Sequence, residues 1–442
     1  MEEFVITRRA VVLGAIAGGS LAEAMGAGVE DDFVRRSDQK FFLKGREYRY
    51  IGTNLWYGAY LGASPTTQDR LKRELDFLAD LGVGNLRVLG ASEVSPLKNS
   101  LTPAFRGPSR TYNTDLLAGL DFLLWEMGKR GMKAVIYLNN FWEWSGGMAT
   151  YLSWVNGGHY IDPNDPAHPW PAFAEFSAGF YANQEANALY HDYVRSLIQR
   201  RNTYTGKVYR DDPTIMSWQL ANEPRPGGSL ATANLPAFYG WIEASARFIK
   251  ELDGNHLVST GNEGIRGCLD DFGCAEKANV SRHVDYVTCH IWPLNWSWID
   301  PAKLGNTYGA CEANTLRYIL DHETLARQIG KPLVLEEFGF PRDNGAYDPT
   351  DQTTFRDRYY ELVFNAVHES SLRHGPIAGC NFWAWGGEGR AQHNDFKMVA
   401  GDTSYVGDPP QEPQGRNSVF NTDLSTLAVV SGYAKKLRAI TG

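Results

Sequence analysis

Two rhythms of apolar positions alternate along nearly the whole chain. Short β-rich runs predict strands at Tyr48–Asn54, Asn85–Leu89, Lys133–Leu138, Ile215–Leu220, Leu257–Thr260, Tyr286–His290, Leu333–Glu337 and Gly379–Trp383. Between them, apolar residues at helical spacing predict helices at Thr67–Leu81, Thr114–Arg130, Glu185–Arg201, Leu235–Leu252, Thr315–Ile329 and Thr354–Ser370, with Leu424–Ile440 closing the chain. The link from Thr260 to Tyr286 is the weakest, because Gly and Cys interrupt its short helix.

Eight such β-then-α units predict an α/β fold, a (β/α)8 TIM barrel, as a single domain from residue 35 to 442. A doubly wound open sheet is the structural alternative, and no GxGxxG turn follows the first strand to support a dinucleotide-binding version. The stretch FFLKGREYRY, residues 41 to 50, predicts a hairpin that plugs the barrel bottom. Asn139 to Asn183, after the third strand, is the longest connection, and long ordered loops at that end of a barrel usually carry function.

Composition narrows the partners. With 43% hydrophobic and 21% charged residues, the chain suits a globular protein with an ample core. A formal charge of −8 and no Lys/Arg block make nucleic acid a poor partner. Thirteen Trp and 22 Tyr exceed what a core needs, and their flat faces suit stacking on sugars or bases. Residues 1–28, with Thr7-Arg8-Arg9 before the short apolar run Ala10 to Leu21, resemble a twin-arginine export signal cleaved near Ala24 or Ala27. The run is too short for an ordinary membrane span, so a periplasmic or extracellular protein without membrane attachment is expected once the signal is removed, an uncleaved membrane anchor being the alternative; a monomer is expected. Of the odd set Cys268, Cys274, Cys289, Cys311 and Cys380, the first two could bridge a loop in an oxidising compartment; equally, most could be buried thiols, and connectivity does not follow from sequence. The ten His form no cluster at ligand spacing, and neither metal nor organic cofactor is implied.

Candidate chemistry sits at the strand ends. In SWQLANEPRP, Glu223 follows the fourth strand at the C-terminal face, where barrel active sites lie. In KPLVLEEFGF, Glu336 and Glu337 end the seventh strand, and strict alternation lets only one of them point inward. Two carboxylates on one rim suit glycoside cleavage, one protonating the leaving oxygen while the other attacks or activates water. Near the end of the second strand, in NLRVLG, Arg87 occupies a costly place for an unpaired guanidinium and needs a carboxylate partner.

The motifs WQLANEPRP, LVLEEFG, NLRVLG, CHIWPLNW and GCNFWAWGG together resemble glycoside hydrolase family 5, most closely its β-mannanase branch, from about residue 35 to the end. The resemblance implies a retaining double displacement with Glu223 as acid/base and Glu337 as nucleophile. It also implies that Asn222 holds the sugar 2-hydroxyl, Arg87 braces Glu337, and His290 lines the site. Trp383 would be the floor of the cleavage subsite, with Trp385 a lesser candidate, and Asn140 and Trp142 would extend the cleft. Where the family usually carries Tyr two residues after the strand-six His, this chain has Trp292, which can donate one hydrogen bond and accept none.

Hydrolysis of β-1,4-mannosidic bonds inside mannan, glucomannan or galactomannan is therefore the leading expectation. An exo-acting β-mannosidase is the runner-up, favoured if the Asn139–Asn183 insertion closes one end of the cleft. A β-1,4-glucanase would use the same acid pair, and a barrel that only binds sugar would need neither Glu223 nor Glu337.

Overall fold

The apolar runs become eight strands whose residues are buried along their whole length: β1 (Tyr50–Asn54), β2 (Asn85–Leu89), β3 (Lys133–Tyr137), β4 (Ile215–Gln219), β5 (Leu257–Ser259), β6 (Val287–Ile291), β7 (Leu333–Phe338) and β8 (Ile377–Phe382). Burial on both faces is what an all-parallel sheet flanked by helices requires. The structure is a computed structural model and describes residues 32–228 and 231–441; the expected export signal lies outside them. All strand pairs are parallel, in the order β5-β4-β3-β2-β1-β8-β7-β6. A parallel bridge from Ser259 to Tyr286 joins the two edge strands and closes the barrel. The eight-stranded (β/α)8 barrel is thus observed.

The main outer helices begin and end where capping chemistry allows. Ser64 caps α1 (Pro65–Leu81), whose proline sits at the first helical position, and left-handed Gly82 ends it. Asn113 caps α2 (Thr114–Lys129) and Asn183 caps α3 (Gln184–Ile198). The ring continues with α4 (Leu235–Leu252), the short α5 (Phe272–Asn279) capped by Asp271, α6 (Leu304–Ile329), α7 (Thr354–Leu372) and α8 (Leu424–Thr441). α6 starts at Leu304 rather than Thr315, because Gly305 and Gly309 blur the helical pattern of its first turns.

The hairpin expected at 41 to 50 is the core of a three-stranded antiparallel sheet, Arg35–Ser37, Lys40–Leu43 and Arg46–Tyr48. Its Phe41 is fully buried against the lower ends of the barrel strands and meets the Tyr286 ring edge-on at 5.4 Å. The Asn139–Asn183 connection folds partly into helices, Gly147–Val155 and Ala172–Ala178. A second long excursion, between β8 and α8, folds back so that Trp385–Gly387 pairs with Val419–Phe420. Among the described residues no helix is long and apolar enough to cross a membrane.

Candidate functional site

At the barrel's C-terminal mouth, Glu336, Glu337, Asn222, Gln219 and Asn54 converge on Arg87, which is fully buried in the middle of β2. Its Nη1 donates to Glu337 Oε1 at 2.5 Å and to Asn54 Oδ1 at 3.1 Å, its Nη2 to Asn222 Oδ1 at 2.7 Å, and its Nε to Gln219 Oε1 at 2.7 Å. The guanidinium also lies 4.5 Å from the Tyr137 ring centre. Burial alone would favour the neutral form, but Glu337, Glu336 and the remaining partners raise its affinity for its proton. A buried cation is tolerable only with such partners.

The seventh strand departs from the expected alternation. Its register against β6 shifts between Leu335 and Glu337, so Glu336 is the extra residue of a β-bulge. Both carboxylates consequently reach Arg87. Glu336 Oε2 lies 3.6 Å from Arg87 Nε and accepts from Gln219 Nε2 at 2.6 Å, deep in the barrel, while Glu337 sits nearer the rim. The expectation that only one of the pair faces inward is corrected by this single inserted residue.

Glu223 is held in a left-handed backbone conformation, φ 49°, between Asn222 and Pro224. Two neighbouring strand ends fix it there. Its own N–H donates to Gly261 O at 2.9 Å, and Asn262 Nδ2 donates to Pro224 O at 2.6 Å. Gly261, φ 72°, has to be glycine, since a Cβ would fall 1.9 Å from Ala221 O. On the other side Asn222 N donates to Asn139 O and Asn222 Nδ2 to Asn140 Oδ1, which ties the β4 end to the β3 end.

The Glu223 side chain is surrounded by donors. Trp142 Nε1 donates to Oε2 at 2.6 Å, Trp292 Nε1 to Oε1 at 3.2 Å, and His290 Nδ1 lies 2.7 Å from Oε1. Trp292 therefore serves this acid, not Glu337. His290 Nδ1 is also 3.2 Å from Glu337 Oε2, so the imidazole stands between the two carboxylates. Burial works against charge on the ring, yet Glu337, Glu223 and Glu336 hold it well above the ordinary histidine value. For Glu223, burial pushes upward, but the hydrogen bond and charge of His290, with Arg225 and the Trp142 N–H, bring it down to about 2. In this arrangement the proton shared by the pair rests on Nδ1.

One oxygen each from Glu223 and Glu337 and a nitrogen of His290 lie within 4.8 Å of one another. Three such donors are the minimum for a metal ion. An incoming cation would have to displace the Arg87 and Trp donors and face the guanidinium's charge, so the set fits proton transfer better. Trp383 is buried beside them and meets the Trp292 ring edge-on at 5.8 Å. Trp385 is elsewhere: it is core, stacked on Phe77, with its N–H on Glu74.

These groups open onto a cleft of about 1000 Å³. Arg87, Asn140, Trp142, Asn222, Glu223, His290, Trp292, Glu337 and Trp383, all named from sequence, are gathered at or just beneath it. Residues the sequence did not single out include Arg225, paired with Glu263 on the cleft wall, and Glu412 on the β8–α8 excursion. Glu263, in TGNEG just past β5, carries the same strand-end signal as Glu223. Glu412 lies in a stretch without periodicity. All five cysteines are buried free thiols, so the Cys268–Cys274 bridge is not formed here.

The protein-family model described as GH family 5 beta-mannosidase-like matches residues 31–442. A glycoside hydrolase family 5 mannosidase from Rhizomucor miehei is 34% identical, covering 94% of this chain and 99% of its own, with a TM-score of 0.84. Mannan endo-1,4-beta-mannosidase 1 of Oryza sativa subsp. japonica is 29% identical over 98% of this chain and 91% of its own length. An endo-beta-1,4-mannanase from Thermotoga petrophila is 25% identical, with a TM-score of 0.60 over 88% of this chain and 77% of its own.

Proposed function

The chain belongs to the β-mannosidase-like proteins of glycoside hydrolase family 5, and on that footing we propose that it is a retaining hydrolase of β-1,4-mannosidic bonds in mannan, glucomannan or galactomannan, cutting inside the polysaccharide chain. The observation that carries the retaining reading is the carboxylate spacing. Glu223 and Glu337 offer oxygens within 4.8 Å of each other. Retaining pairs stand about 5–5.5 Å apart, whereas an inverting pair needs about 6.5–9.5 Å to admit a water.

In the proposed mechanism a Glu337 oxygen attacks the anomeric carbon while the bond to the leaving sugar breaks, and Glu223 gives that leaving oxygen a proton. The proton comes from His290 Nδ1, 2.7 Å from Glu223 Oε1. It moves onto Glu223 as negative charge builds on the glycosidic oxygen. In the second step Glu223 takes a proton from water, whose oxygen attacks the same carbon and releases Glu337. Arg87 aims Glu337 through their hydrogen bond, Asn222 binds the 2-hydroxyl, Trp383 forms the sugar's floor, and Asn140 and Trp142 line the approach.

The names borne by the rice and Thermotoga relatives support mannan as substrate and internal cleavage. Exo-acting β-mannosidase action is the second reading, favoured by the β8–α8 excursion, which puts Pro409, Gln411, Glu412 and Arg416 on the cleft wall. A timed product profile on reduced mannohexaose and galactomannan, with cello-oligosaccharides alongside, separates the readings. Mixed short oligomers with a fast viscosity drop support internal cleavage; mannose alone supports the exo reading, and cello-oligosaccharide cleavage alone overturns mannan specificity. We further propose that the first 28 residues direct export and that the mature protein is monomeric. N-terminal sequencing of the exported protein and its sedimentation mass test the two statements.

A further inference from the structure

The wall supplied by the β3 connection holds two groups that the chemistry of Glu223 and Glu337 does not use. Glu143 is 5% exposed and lies in sequence between two cleft tryptophans, Trp142 and Trp144. Among the described residues, the hydrogen bond its carboxylate takes is from its own backbone N–H. Burial, opposed by that N–H and reinforced by the charge of Asp162, pushes this carboxyl up to about 7. A buried carboxyl with so little support is costly, and such groups in native proteins call for an explanation.

The second group is Trp170, 58% exposed on the same wall. A ladder of rings braces it: Trp142 stacks on it at 6.3 Å and 29°, Phe173 stacks on Trp142 at 6.1 Å and 11°, and Arg225 lies 5.3 Å from the Trp142 ring centre. A large indole held by stacking while more than half exposed offers a rigid apolar platform at small entropic cost. Pro163 shares the same wall with both residues.

We propose that Glu143 and Trp170 form a further saccharide subsite, Trp170 taking the face of a neutral hexopyranose unit and Glu143 accepting hydrogen bonds from its hydroxyls. The subsite rests on the reading of the cleft as a polysaccharide site.

The test compares kcat/KM on mannohexaose with kcat/KM on an aryl β-mannoside for the wild type, Trp170→Ala, Glu143→Ala and Glu143→Gln. The expected result is a ratio that falls about tenfold in Trp170→Ala and in Glu143→Ala, with partial recovery in Glu143→Gln, whose amide oxygen still accepts. An unchanged ratio in both alanine variants overturns the subsite. Should the wild type cleave neither substrate, the proposed function fails, and the subsite is judged by calorimetric titration with mannohexaose and cellohexaose. Weaker binding in Trp170→Ala then upholds it, and equal binding or none overturns it.

Discussion

Removing the guanidinium of Arg87 leaves Glu336 and Glu337 in the barrel mouth without their principal cation. Because breaking a buried ion network strands charge, Arg87→Met is expected to lose roughly 3–5 kcal/mol of stability, read as a lower denaturant midpoint, along with most activity. Glu337→Ala is expected to abolish turnover of every mannoside. Glu223→Ala is expected to lose about 10²–10⁴-fold on mannan, less on aryl mannosides with good leaving groups, where azide restores turnover. Ordinary activity on mannan in either variant would remove that residue from its role. Glu223 and Glu337 were legible because each ends or follows an apolar run, where a barrel places its chemistry, and Arg87 because a lone charge inside an apolar strand demands a partner. Gln219 and Asn54 were not, since a polar residue within a strand gives no sign of which cation it will meet.

At the scale of elements, the strands were readable from apolar runs and the outer helices from periodicity and caps, but the bulge in β7 was not. An inserted residue is defined by the partner strand it slips against, and that partner is distant in sequence. The β8–α8 excursion was equally hidden, as its short parallel pair and turns leave no repeating pattern. The basal plug makes a separable prediction. Phe41→Ala empties a fully buried ring site and is expected to cost ~3–5 kcal/mol, seen as a lowered Tm. Well below that Tm, kcat on mannohexaose is expected to stay at the wild-type value, because Phe41 packs at the opposite end of the barrel from Glu223 and Glu337. A large fall in kcat without a fall in Tm would contradict this division between plug and mouth.

For the molecule as a whole, the imidazole between the two acids links stability to pH. His290 is held above its ordinary 6.5 in the folded state, so its stabilising contribution is fully present below about pH 6.5 and is lost as pH rises through the raised value. The stability advantage of wild type over His290→Gln, from unfolding curves at several pH values, is expected to shrink on the alkaline side. A gap independent of pH would contradict the charged imidazole. The central claim is that two carboxylates this close act in succession on one anomeric carbon. Time-resolved proton NMR of mannohexaose hydrolysis tests it most directly, by the anomer that appears before mutarotation. The β-anomer is expected first, and first appearance of the α-anomer would contradict successive attack on that carbon.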